Sequence, residues 1–223
     1  MRQLAAQQLS DFPAVSPEAV NRWTHAAGFA ASLPAAAVLM IVAARIADPV
    51  IVAGFGVYCM ALAGLYAASA LSHGFEERPR VRKAFRTADQ VCIYLMIAGT
   101  FTPFAAAYLR TPFGLAQLGG MWLLALVGIV LRIQRRGALI GPLDVAFCLL
   151  MGWIPLFSLG EIFSVAGIDG LGLILVGGAF YSGGTVFLLN DHRNPYLHGV
   201  WHLATLAGTA CHYAFLLFFV ALA

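Results

Sequence analysis

The chain has 223 residues, 61% hydrophobic and only 10% charged, against about 25% charged in an ordinary soluble domain. That balance excludes a soluble enzyme and predicts an all-α integral membrane protein. The net charge of +3 is too mild to call for a nucleic-acid partner; basic loops of this kind set topology and meet anionic lipid.

Apolar runs long enough for spans of about 20 residues fall at Ala26–Ala47, Val50–Ser72, Gln90–Tyr108, Gly114–Leu131, Leu143–Phe163, Leu171–Leu189 and Gly199–Ala223. They predict a seven-transmembrane helix bundle, one domain over residues 1–223, whose N-terminus, residues 1–16, is flexible and cytoplasmic. No short apolar core beside an A-x-A-like site precedes the first run, so no cleaved signal peptide is expected. Cys59, Cys92, Cys148 and Cys211 lie singly within spans, with no CxxC, and read as small buried residues rather than disulfides or ligands. Arg2, Arg22, Arg78, Arg80, Arg82, Lys83, Arg86, Arg132, Arg135, Arg136 and Arg193 fall on one side of such a bundle, leaving Arg45 and Arg110 on the other. The positive-inside rule then places the N-terminus in the cytoplasm and the C-terminus outside.

In chain order, Ser16-Pro17 reads as a helix start, with Ser16 as N-cap and Pro17 at the first position. Glu18, Asn21 and His25, spaced i, i+3, i+7, share one stripe near the cytoplasmic interface beside Trp23. The stripe reads equally as an interfacial polar edge and as support for a site. Span two ends Ser69-Ala70-Leu71-Ser72-His73, and Asp89 opens span three at the same depth. An ionisable group at the edge of a span is costly unless paired, and marks a functional site by default. Pro103 should kink span three, with Thr100 or Thr102 satisfying freed carbonyls. Asp144 suits the first turn of span five through the helix dipole, Pro155 suggests a second kink, and the glycines of span six favour close packing. Asn194-Pro195 opens the last helix as N-cap and first position, carrying His198 and His202 one turn apart on one face.

Two imidazoles at that spacing can share a metal ion, yet HxxxH alone reads first as two interfacial histidines with ordinary hydrogen bonds. Topology adds His73 and Asp89 at the same depth, so three imidazoles and a carboxylate can converge. Zinc held by His73, His198 and His202 would acidify a water and polarise an acyl carbonyl. Asp89 would accept the water's proton or orient the water, and Ser69 would donate to the water or to a developing oxyanion. His212 lies about 15 Å further along the helix than His202, too far for the same ion, and reads as a buried, hydrogen-bonded residue. His192 reads as a solvated loop residue.

The Glu18-x-x-Asn21-x-x-x-His25, Ser69-x-x-x-His73, Asp89, Ala98-to-Pro103 and His198-x-x-x-His202 motifs, with His212, resemble the hemolysin III family. That bacterial family lies within the progestin and adipoQ receptor superfamily, related to adiponectin receptors and more distantly to alkaline ceramidases. The resemblance covers about Glu18 to Tyr213. It implies a seven-helix bundle in the bacterial inner membrane with a zinc ion on His73, His198 and His202, and Asp89 and Ser69 beside it. Gln90 departs from the histidine that bacterial relatives often carry after the aspartate. The resulting expectation is a zinc-dependent hydrolase of lipid amide (ceramide-like) or ester bonds in the cytoplasmic leaflet, with a membrane lipid as partner. The alternative is a non-enzymatic regulator of membrane state with structural zinc, and behind it a cytolysin or channel.

Overall fold

A computed structural model describes residues 15–75, 77–135 and 138–223. Of the expected flexible segment, residues 1–14 lie outside the described residues, as does Arg136. The described residues contain no strand. They form α1 (Pro17–Ala43), α2 (Pro49–Gly74), α3 (Pro79–Tyr108), α4 (Pro112–Gln134), α5 (Pro142–Trp153), α6 (Leu159–Leu189) and α7 (Tyr196–Leu216). A 3-10 turn, Ile154–Ser158, joins α5 to α6, and a π-helical turn, Leu217–Ala221, ends α7.

Helices α1 to α5 each carry a proline in the first turn, Pro17, Pro49, Pro79, Pro112 and Pro142. An N–H is unpaired there in any case, so the missing donor costs nothing. Ser16 Oγ caps α1 by accepting from Ala19 N at 3.1 Å, and Thr111 Oγ1 caps α4 by accepting from Gly114 N at 3.1 Å. Asp48 Oδ1 accepts from Val50 N at 2.8 Å to cap α2. Its other oxygen meets Arg110 Nη2 at 2.5 Å, so a basic residue of that face is neutralised locally. The Arg110 guanidinium, then the Val50 amide, hold the Asp48 carboxyl below its ordinary range. Helix α7 starts at Tyr196, one residue later than the sequence suggests. Asn194 Oδ1 still accepts from Tyr196 N at 3.0 Å, an Asx turn that leads into the helix.

Two helical features differ from the expectations. Helix α3 begins at Pro79, so Arg80, Arg82, Lys83 and Arg86 ride on its first turns and Asp89 lies in its third. Arginine and lysine favour helix as readily as apolar residues do, so an apolar run underestimates the helix. The hydroxyls of Thr100 and Thr102 do not reach the carbonyl freed by Pro103, which belongs to Gly99. They bond back to Met96 O at 2.7 Å and Ala98 O at 2.8 Å, the local i−4 geometry threonine prefers inside a helix.

Among the described residues, six helical stretches are long and apolar enough to cross a membrane, with Pro142–Leu189 as one of 48 residues. That stretch does not run straight. Trp153 Nε1 donates to Ser182 Oγ at 3.1 Å, whereas 29 residues of straight helix would separate them by about 44 Å. The chain therefore doubles back between them, at Gly167, whose φ of 59° and ψ of −159° lie outside helical space. Only glycine adopts that conformation readily.

Outward-facing side chains are apolar: Met60, Leu123, Leu143 and Phe157 are all more than half exposed. With six such apolar helices the chain is a multi-pass integral membrane protein. Inside, Phe55 and Tyr58 of α2, Phe104 of α3, Met121 of α4 and Phe215 of α7 are buried together. Helices α2 and α3 approach closely because small residues face each other, a Cβ on Gly99 falling 3.3 Å from Ala61 Cβ. Without a hydrophobic drive in lipid, such close packing is a principal source of helix association.

Candidate metal centre

Three histidines meet where the end of α2 faces the start of α7. The candidate ligand nitrogens of His73, His198 and His202 all lie within 4.8 Å of one another. Ring centroids are 5.1 Å apart for His73 and His198, 5.2 Å for His73 and His202, and 4.7 Å for His198 and His202. Interplanar angles of 61–70° set the rings around a common point rather than in a stack.

Each ring is oriented by a partner on its outer nitrogen. His73 Nδ1 donates to Glu18 Oε2 of α1 at 2.6 Å. His198 Nδ1 donates to Asp191 Oδ2 at 2.9 Å, which lies just before the helix. His202 Nδ1 lies 3.1 Å from the Asn21 carbonyl and 3.0 Å from Thr24 Oγ1. The Thr24 hydroxyl proton goes to backbone carbonyls of its own helix, so its oxygen is free to accept. Every Nδ1 thus faces an acceptor, which fixes the Nδ1–H tautomer and leaves the Nε2 lone pair for the centre. Metal-ligating histidines are held in this way by carboxylates and carbonyls. The donor set, three neutral imidazoles, suits zinc with one position left open.

Glu18 is shared. Its second oxygen pairs with Arg82 of α3, so one carboxylate links the basic start of α3 to a ring of the centre. Asp89 and Ser69, from α3 and α2, line the same cavity and interact electrostatically. Ser69 is 1% exposed, and the Asp89 carboxyl is also close enough to His73 to interact electrostatically. Asp89 stands outside the three-histidine group, beside it.

The centre caps a long cavity. Ser69, Asp89, His198, His202, Met121 and Phe215 are among its lining, which is otherwise mainly apolar. From His198 to Phe215 along α7 is about 25 Å, approaching the hydrocarbon thickness of a bilayer, about 30 Å. His212 stands on the same wall, its Nε2 donating to Ile174 O of α6 at 3.3 Å. His192 is exposed, and the four cysteines are free thiols.

A second polar cluster lies beside this one. Arg132 of α4 is 2% exposed. Its Nε donates to Gln90 Oε1 at 2.9 Å, its Nη1 to Asp144 Oδ2 at 3.3 Å and its Nη2 to Ala138 O at 3.1 Å. Gln90 Nε2 donates to the same carbonyl at 3.1 Å. The residue after Asp89 is therefore fixed between α3, α4 and the start of α5. Asp144, expected as a first-turn acid, also accepts from Gly141 N at 2.9 Å. Reading the sequence did not find Thr24, Asp191, Arg82 or Arg132 as partners. Only Glu18, through its stripe with Asn21 and His25, carried a signal.

The family model described as Haemolysin-III related matches residues 14–213. The chain is similar to Hemolysin-3 of Bacillus cereus, 35% identical over 206 residues that cover 92% of this chain and 93% of the relative. It is also similar to the Hemolysin-3 homolog of Bacillus subtilis (strain 168), 31% identical over 207 residues, 92% of this chain and 95% of the relative.

Proposed function

The chain belongs to the haemolysin III-related family, and we propose that it is a zinc-dependent hydrolase of lipid amides that works at the head of the bundle cavity. One observation carries this reading: three histidines, each tied down at Nδ1, leave Nε2 free in a group whose candidate ligand atoms lie within 4.8 Å of one another, with Asp89 and Ser69 on the adjoining cavity wall. His73, His198 and His202 would hold the ion, each through the nitrogen that its outer partner leaves free. Zinc in such a site supplies Lewis acidity, activating water near neutral pH and polarising an acyl carbonyl.

The chain's own residues do the rest. The apolar cavity takes the acyl chain and sets the amide at the level of Asp89 and Ser69, converting the encounter into a positioned reaction. Asp89 accepts a proton from the attacking water and returns it to the departing amine. Ser69, held against Asp89, keeps that carboxylate turned to the cavity. Glu18, Asp191 and the Asn21 carbonyl keep the three rings in place through the cycle.

Seven spans, with the N-terminus in the cytoplasm and the site in the cytoplasmic leaflet of the bacterial inner membrane, complete the reading. The reversal at Gly167 supports counting Pro142–Leu189 as two spans, and Arg80, Arg82, Lys83 and Arg86 beside the site support the orientation. A second reading, zinc as a clamp that joins α2 to α7 without turnover, is favoured by the way Glu18 and Thr24 brace the same rings from α1.

The test is cleavage of an N-acyl lipid by purified protein, with and without chelator. Metal-dependent release of fatty acid, lost in His202→Ala and in Asp89→Asn, is expected. Cleavage undiminished by His202→Ala would rule the reading out.

A further inference from the structure

His25 presents an imidazole that no protein group satisfies. It is 3% exposed, and neither ring nitrogen has a hydrogen-bond partner. Its ring stacks on His202 with centroids 3.5 Å apart at 15°, and meets Tyr66 edge-on at 5.1 Å. These contacts fix the ring plane without using its polar atoms. The three histidines of the centre each place Nδ1 on an acceptor and turn Nε2 inward. His25 does neither and stands outside their group. Buried polar atoms in proteins are nearly always hydrogen-bonded, so two orphans on one ring point to a partner from outside the chain.

The place for that partner is the cavity, which His25 lines together with Ser69, Asp89, His198 and His202. A neutral imidazole has one donor and one acceptor nitrogen. An amide both donates and accepts, so it can meet whichever nitrogen faces the cavity. An ester can meet only the protonated one, and a hydrocarbon neither.

We propose that His25 is a ligand-binding residue, its ring hydrogen-bonding the amide head of a lipid whose chain lies in the cavity. The proposal rests on the hydrolase reading for the choice of an amide-linked lipid, but not for turnover. It separates His25 from His202 in role, one recognising the polar head and the other holding the ion. A site built to hydrogen-bond a head group discriminates strongly against analogues that lack it.

The experiment titrates N-hexadecanoyl sphingosine into purified full-length protein in detergent, with zinc content measured in every sample. His25→Phe keeps the stack on His202 and removes both polar atoms, whereas His25→Gln keeps a donor and an acceptor. The expected result is about tenfold weaker binding for His25→Phe and binding within about threefold of wild type for His25→Gln, at unchanged zinc. Wild-type affinity in His25→Phe, or no binding by the wild type, overturns the proposal. Where His25→Phe does not fold, His25→Gln alone decides, wild-type affinity supporting the proposal and a tenfold loss at unchanged zinc overturning it. Lipid that is bound in a His25-dependent way yet never cleaved defeats the hydrolase reading and leaves this one standing.

Discussion

His73 Nδ1 lies 2.6 Å from Glu18 Oε2, so the first helix of the chain holds a ring carried by the second, 55 residues later. The same carboxylate pairs with Arg82. Removing this kind of support from a metal ligand lowers affinity by about 10–100-fold. Glu18→Gln is therefore expected to weaken zinc retention by that order, read by chelator competition on folded protein. Arg82→Ala, which leaves the Glu18–His73 contact in place, should do so by less.

Gly167 supplies a prediction about the backbone alone. A Cβ on Gly167 or on Gly172 would meet nothing within 4 Å, so space does not distinguish them. The φ of 59° does. Gly167→Ala should destabilise the protein by about 1–3 kcal/mol, whereas Gly172→Ala, in regular helix, should be neutral or slightly stabilising. Thermal unfolding in detergent checks the pair.

Among the described residues Arg132 is the largest fully buried side chain. Arg132→Ala strips partners from Gln90, Asp144 and the Ala138 carbonyl at once, and breaking a buried pair from one side costs about 3–5 kcal/mol. A clear fall in melting temperature is expected, together with loss of turnover beyond what stability explains, because Gln90 adjoins Asp89. An unchanged melting temperature would show that water takes over these contacts.

Asp89→Asn and Ser69→Ala separate chemistry from metal binding. Neither residue belongs to the three-histidine group, so zinc content should hold near the wild-type level while turnover falls by about 10²–10⁴-fold in Asp89→Asn. Zinc lost together with activity would place the aspartate among the ligands.

How much of this was legible in the sequence depended on range. Apolar runs marked the helices because lipid demands about 20 such residues in a row, yet that rule is blind to charged helix, and so missed the first eleven residues of α3, Pro79 to Asp89. His198 and His202 were readable as a pair because helical spacing is local, and His73 joined them only through its depth. Their outer partners followed no such rule. Asn21 acts through a backbone carbonyl, which no side-chain motif records. Asp191 stands beside His192 in a stretch that reads as a solvated loop, and Arg132 looked like one of several topology-setting basic residues. What distinguishes Arg132 is burial against Gln90 and Asp144, a property of three helices together. His25 was visible as part of a stripe, but its unpartnered ring nitrogens belong to the packed structure.

The most direct measurement is zinc by elemental analysis of detergent-purified protein, wild type beside His73→Ala, His198→Ala, His202→Ala and Asp89→Asn. The account predicts about one zinc per chain in the wild type and in Asp89→Asn, and loss in each of the three histidine variants. No zinc in protein prepared without chelator, or zinc retained in any of the three histidine variants, would contradict it.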